Sequence, residues 1–178
     1  MKSVSNSQIS KSFRANRPKS VQWLGRFVLS SLGWKVTGKI KEEYKNQRIV
    51  IVVAPHTSNW DGILGMAALA GLDARISFFG KHTIFRYFAL GAFLKYMGGI
   101  PVNRANPGGA IGDAIKKIKN IEFSLIGMAP EGTRSKVAKW KTGFLRIAKE
   151  INAKIIPVSL DFAKKEIFLG KIFNLSGE

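Results

Sequence analysis

A chain of 178 residues with 46% apolar side chains, 18 Gly and 6 Pro has the size and aliphatic content of one folded domain and is too apolar to be disordered. Its 29 Lys and Arg against 11 acidic residues give a formal charge of +18, which points to an anionic partner, either nucleic acid or an anionic bilayer surface. The absence of cysteine excludes disulfides, thiolate metal sites and a Cys nucleophile together, and no apolar stretch reaches the roughly 20 residues that a membrane-crossing helix needs.

Residues 1–20 carry Lys2, Lys11, Arg14, Arg17 and Lys19 without the apolar centre of a secretory signal, and read as a flexible basic arm ahead of a domain over 21–178. Val21, Leu24, Phe27, Val28 and Leu32 then recur at helical spacing, with Trp23 and Trp34 near the ends, which predicts an amphipathic helix over 21–35. Its apolar face either packs on the domain's own core or lies at a lipid interface, because periodicity gives the face and not what covers it. Short β-rich runs follow at 35–40, 48–54, 74–79, 100–103, 123–129, 155–161 and 166–169. Between them lie helical patterns at 60–70, 83–96, 109–119 and 142–151. The alternation predicts an α/β fold in a single domain, with a central mixed, largely parallel sheet flanked by helices. No internal repeat or interdomain linker interrupts it.

Three strand ends carry polar clusters, and the carboxyl ends of strands are where open α/β sheets build their sites. After the second strand comes Ala54-Pro55-His56-Thr57-Ser58-Asn59-Trp60-Asp61. With His56 in the turn and Asp61 in the first helical turn, the carboxylate reaches one ring nitrogen, fixes the tautomer and leaves the other nitrogen as a proton acceptor. No Gly-x-Ser-x-Gly elbow supplies an enzyme nucleophile, so the nucleophile is expected to be a hydroxyl of the substrate. Ser58, which opens the helix, reads as an N-cap. In the second cluster, Pro130-Glu131-Gly132-Thr133-Arg134-Ser135, Pro130 and Gly132 shape a turn, Glu131 offers a carboxylate, and Thr133 and Arg134 offer donors suited to a phosphate. The third, Gly98-Gly99-Ile100-Pro101-Val102-Asn103-Arg104, repeats the design of Gly turn, short strand and terminal Arg.

Taken together and in order, these clusters resemble the glycerolipid acyltransferase family, whose best-known members acylate lysophosphatidic acid. The resemblance runs from about Gly33 to Asp161. It implies that His56 is the catalytic base and Asp61 its partner, and that Arg104 helps to hold the phosphate of the acceptor. It further implies that Glu131, Gly132, Thr133 and Arg134 belong to acceptor binding and site architecture, and that Ile156-Pro157-Val158 borders the site. Lys81 and Lys141-Thr142-Gly143-Phe144 are also similar to recurrent family positions. Ala129 stands where the family usually has Phe, and Pro101 and Asn103 where it has Phe and Asp, departures that bear on the acceptor more than on the chemistry. The chain is short for the family and ends at Glu178 soon after the last predicted strand, so the domain is expected to be compact or truncated at its C-terminus.

The expected reaction moves a fatty acyl group from acyl-CoA or acyl carrier protein to the hydroxyl of a lysophospholipid such as lysophosphatidic acid. The expected partners are an anionic membrane surface, the acceptor and the thioester donor, with no nucleic acid, and the expected location is the cytoplasmic face of a membrane, peripheral or monotopic. No cofactor and no metal is expected, since His56 and His82 are the only histidines and neither has a ligand spacing. Two other readings compete. A basic nucleic-acid-binding module would use the charge but lacks a recognisable motif and leaves the His-Asp pair unexplained. A non-catalytic lipid-binding relative would keep the fold without the chemistry.

Overall fold

The computed structural model describes residues 4–56, 58–103, 107–119, 124–132 and 137–175, the backbone alone at 107–111 and 113. Seven strands form one sheet: β1 (Lys35–Thr37), β2 (Ile49–Ala54), β3 (Ile76–Lys81), β4 (Gly99–Val102), β5 (Leu125–Met128), β6 (Lys154–Asp161) and β7 (Glu166–Leu169). Their order across the sheet is β1-β7-β6-β2-β5-β3-β4. Every neighbouring pair is parallel except the hairpin β6–β7. The helices are α1 (Lys19–Ser31), α2 (Asn59–Leu72), α3 (Phe88–Tyr96), α4 (Pro107–Lys119) and α5 (Gly143–Glu150). The predicted mixed, largely parallel sheet with flanking helices and an N-terminal helix is the architecture observed.

The central strand β2 reads Ile-Val-Ile-Val-Val-Ala because both of its faces are covered, as parallel strands demand. Alternate residues supply two cores. Ile49 and Ile51 pack with Leu125, Ile156, Leu29 of α1 and Leu64, Ala67 and Ala68 of α2. Val50 and Val52 pack on the other side with Ile126, Ile155, Ile118 of α4 and Ile147 and Ala148 of α5. The β2–α2–β3 and β3–α3–β4 crossovers step the same way along the sheet, so their right-handedness sets α2 and α3 on one face. The two crossovers that step back set α4 and α5 on the other. Between α1 and α2 the approach is close enough to require glycine: a Cβ on Gly25 would stand 2.5 Å from the Ala67 carbonyl oxygen and 2.5 Å from the Gly71 nitrogen.

The differences from the predicted elements have local causes. Residues 4–18 do not form a free arm: Phe13 is fully buried, Ile9 is buried and bridges to Ile40, and the Arg14 backbone bridges to Ala74. Arg17, counted among the arm's solvated charges, is buried and donates to the Ala74 carbonyl at 2.8 Å with Asp73 3.9 Å away. Burial pulls its pKa below the usual guanidinium value, and Asp73 opposes that shift. Strand β1 ends at Thr37 and not at residue 40, because Gly38 turns into the left-handed region at φ 80° where the chain crosses the backbone of Leu169. The helix expected over 83–96 is divided into a 3-10 turn, His82–Arg86, and α3, separated by the extended backbone of Tyr87. The break lets Phe85 turn its ring against Gly80 and Gly99 and its carbonyl against Gly91.

Candidate active site

Because β2, β3, β4, β5 and β6 run in one direction, their carboxyl ends share one edge of the sheet. His56 leaves β2 on that edge, Glu131 leaves β5, and Lys81 closes β3. Val52 is in register with Met128, so the two polar turns that follow β2 and β5 are neighbours.

The turn after β2 enters α2 through a capping box. Ser58 is the N-cap: its Oγ accepts from the Trp60 amide at 2.9 Å, and Asp61 Oδ2 accepts from the Ser58 amide at 2.7 Å. The same Oδ2 stands 3.6 Å from His56 Nδ1. Asp61 is thus fixed by the helix it caps before it meets the imidazole, and its side chain is only 1% exposed against 29% for His56. A distance of 3.6 Å is longer than a hydrogen bond and typical of a catalytic contact that tightens when substrate fills the site. Nδ1 faces the carboxylate, which leaves Nε2 as the ring nitrogen available to a proton from outside.

Glu131 holds the main chain of the same histidine. Its Oε1 accepts from the His56 amide at 3.2 Å, while its Oε2, also buried, has no hydrogen-bond partner among the described residues. Two carboxylates from different strand ends therefore frame His56, one at its ring and one at its backbone. Gly132 follows with φ 63°, and Lys141 locks the turn by donating its amide to the Pro130 carbonyl at 2.8 Å while its side chain lies over Gly132. Arg104, Thr133 and Arg134, the remaining predicted site residues, lie outside the described residues.

Beside this frame opens a cleft of about 510 Å³, within the range of small-molecule sites. Ala54, Pro55 and Glu131 line it next to His56 in the frame just described, and Val137, Trp140, Val158 and Phe168 contribute much of its apolar wall. Pro157 and Val158, expected to border the site, line it. Ser159, Phe168 and Gly170 were not legible as site residues, because they reach the cleft only through the β6–β7 hairpin, and Trp140 comes to it from the loop before α5; none carries a motif of its own. Among the described residues no three His, Asp or Glu side chains are gathered as metal ligands would be.

The model of a family described as Acyltransferase matches residues 35–161. A 1-acyl-sn-glycerol-3-phosphate acyltransferase of Bacillus subtilis (strain 168) is 32% identical over 132 residues, covering 71% of this chain and 65% of that protein. A protein of the same name from Streptococcus pneumoniae (strain ATCC BAA-255 / R6) is 33% identical over 124 residues, covering 69% and 44%. The chain thus spans less than two thirds of the length of either relative. The crystal structure of the 1-acyl-sn-glycerophosphate (LPA) acyltransferase PlsC from Thermotoga maritima matches with a TM-score of 0.60 at 22% identity, over 90% of this chain and 70% of that one, a likeness of fold.

Proposed function

Since the chain belongs to the acyltransferase family, we propose that it transfers a fatty acyl group from a thioester donor, acyl-CoA or acyl carrier protein, to the free hydroxyl of 1-acylglycerol-3-phosphate. The observation that carries the reading is the His56 imidazole held 3.6 Å from the buried Asp61 carboxylate at the mouth of the sheet. The printed names of the two relatives support the choice of acceptor.

In this mechanism His56 Nε2 takes the proton of the acceptor hydroxyl as its oxygen attacks the thioester carbonyl. The tetrahedral intermediate expels the thiolate, the carbon–sulfur bond breaks, and the imidazolium returns its proton to the sulfur. Asp61 stabilises the imidazolium in between. General base catalysis supplies roughly a hundredfold to ten-thousandfold, and positioning supplies much of the rest. Glu131 keeps the His56 main chain in place, Gly132 shapes the adjoining turn, and Arg104, Thr133 and Arg134 take the acceptor phosphate. The apolar cleft accommodates an acyl chain, each buried methylene being worth about 0.8 kcal/mol.

The enzyme works as a peripheral protein on the cytoplasmic face of an anionic membrane. The charge of +18 supports this, and among the described residues no helix is long and apolar enough to cross a bilayer. The test is phosphatidic acid formation from lysophosphatidic acid and palmitoyl-CoA or palmitoyl-acyl carrier protein in detergent micelles. Wild type forms product and His56→Ala does not. Equal product from the two proteins would overturn the assignment.

A further inference from the structure

The two helical layers of this molecule have opposite surfaces. Ten of the fifteen large hydrophobic side chains exposed among the described residues belong to α1, the first turns of α2, and α3 with its preceding Tyr87. In the other layer, α4 and α5 expose Lys116, Lys117, Lys119, Arg146 and Lys149, and no large apolar side chain among the described residues. That second layer is an ordinary solvated face. The first is not.

Helix α3 is the extreme case. It reads Phe-Ala-Leu-Gly-Ala-Phe-Leu-Lys-Tyr, and its one buried residue is Gly91, so its large side chains stand at the surface, with Phe88 94% exposed. A surface helix with no polar face has its apolar area covered by something other than its own domain. Along α1, Trp23 stacks on Phe27 at 5.2 Å, both exposed, while Gly25 and Leu29 face α2. The two helices are tied at one end: Arg17, just before α1, lies 5.8 Å from the ring of Tyr96 at the end of α3, and its guanidinium is 3.5 Å from the Met97 carbonyl. Trp60, exposed, stands next to Asp61 in the chain. A set of exposed tryptophan, tyrosine, phenylalanine and leucine side chains on these helices has the composition that suits a lipid interface.

Charge chooses the occupant. Lys81, Arg86 and Lys95 are exposed around α3, and the whole chain carries +18. A second copy would bring the same cations and the same net charge to the contact, whereas an anionic bilayer takes up the apolar side chains and neutralises the cations at once. We infer that the layer of α1, the start of α2, and α3 is the surface that docks on an anionic lipid bilayer, with Phe88 and Phe93 as the inserting side chains. This rests on the peripheral reading above and deepens it by naming its contact face.

The test is vesicle flotation of the full chain with phosphatidylglycerol or phosphatidylcholine. Phe88→Ser/Phe93→Ser is compared with wild type and with Phe173→Ser, a substitution of an exposed phenylalanine outside the layer. Wild type floats with phosphatidylglycerol and far less with phosphatidylcholine. The double variant loses at least about tenfold in partitioning, Phe173→Ser loses none, and acyl transfer in detergent micelles stays at the wild-type level. A fluorophore on Phe88→Cys, unique because the chain has no other cysteine, is quenched by brominated lipid. Equal flotation of wild type and double variant, or an unquenched label at Phe88→Cys on bound protein, would overturn the docking face. So would a lipid-free dimer that the double variant dissociates. Flotation as expected without acyl transfer by wild type in micelles would instead sink the catalytic reading and leave the docking face standing.

Discussion

Asp61 has two duties in this structure, and they can be separated. As the N3 residue of a capping box it accepts from the Ser58 amide at 2.7 Å, and as the partner of His56 it stands 3.6 Å from Nδ1. Asp61→Asn keeps an oxygen for the Ser58 amide and removes the charge. Two unit charges 3.6 Å apart attract by about 4.6 kcal/mol at an effective dielectric constant of about 20. His56 is 29% exposed, so solvent screening leaves roughly 3–4 kcal/mol, or between two and three powers of ten in rate. Ser58→Ala is the complementary change. It removes the Oγ that accepts from Trp60 at 2.9 Å and donates weakly to Asp61 Oδ1 at 3.3 Å, and it costs about 1 kcal/mol of stability while the carboxylate keeps its charge. In the micelle assay Asp61→Asn should lower kcat by between a hundredfold and a thousandfold with little change in KM and in melting temperature. Ser58→Ala should melt a few degrees lower and keep its kcat. An Asp61→Asn enzyme within fivefold of wild type, or a Ser58→Ala enzyme as inactive as Asp61→Asn, would refute the reasoning, because Asp61 would then be a cap and nothing more.

The remaining predictions address the other supports of the site. Glu131→Gln keeps an acceptor for the His56 amide and removes the charge of a buried carboxylate whose Oε2 has no partner among the described residues. Its melting temperature should rise by a few degrees, corresponding to about 1 kcal/mol, while activity falls, and a melting temperature below wild type would show that the carboxylate is well paired. Gly25→Ala places a Cβ 2.5 Å from backbone atoms of α2 that cannot yield, so urea unfolding should show about 1–3 kcal/mol lost; an unchanged midpoint would contradict the close packing. Ser159→Trp fills the cleft beside Phe168 from an exposed position, and in competition between palmitoyl and decanoyl donors the product should shift toward decanoyl. No shift would place the acyl chain elsewhere.

The pair at the start of α2 was legible because everything that brings it together is local: a strand end, a cap and the first helical turn lie within eight consecutive residues, Ala54 to Asp61. The hydrogen bond from the His56 amide to Glu131 spans 75 residues and depends on β2 and β5 being neighbours in register, which no local pattern states. The cleft was hidden for the same reason, since β6 returns to β2 and then carries β7 with it. At the N-terminus the charges misled. Lys and Arg over the first 20 residues read as a solvated arm, yet Arg17 satisfies its guanidinium on a backbone carbonyl and Phe13 enters the core. Ile9 and Phe13 were the signal, because two bulky apolar side chains in a basic tract need a place to be buried. On α1 the structure divides the face that the spacing defined: Val28 and Leu32 pack on the core beside Leu29, which lay outside the predicted set, while Leu24 and Phe27 are exposed together with Trp23.

A parallel sheet explains why two clusters far apart in the chain, after β2 and β5, meet. Each crossover returns the chain to the same starting edge, so each strand delivers its following turn to the opposite edge, and a polar motif after β2 or β5 has nowhere else to go. The two apolar faces of β2 then decide what the turns can do. Its covering on both sides makes the strand end rigid, and a rigid strand end holds His56 against Asp61 and Glu131 at once. The contrast between the helical layers follows from the same topology. Because the α2 and α3 crossovers step in one direction, their helices share a face with α1, and the apolar surface that they expose lies on one side of the molecule. The acceptor proposed above dissolves in a bilayer, so the proposed reaction needs the rigid edge presented at a lipid surface, and a fold that gathers the motifs on one edge and the apolar helices on one face suits both requirements with the same set of crossovers.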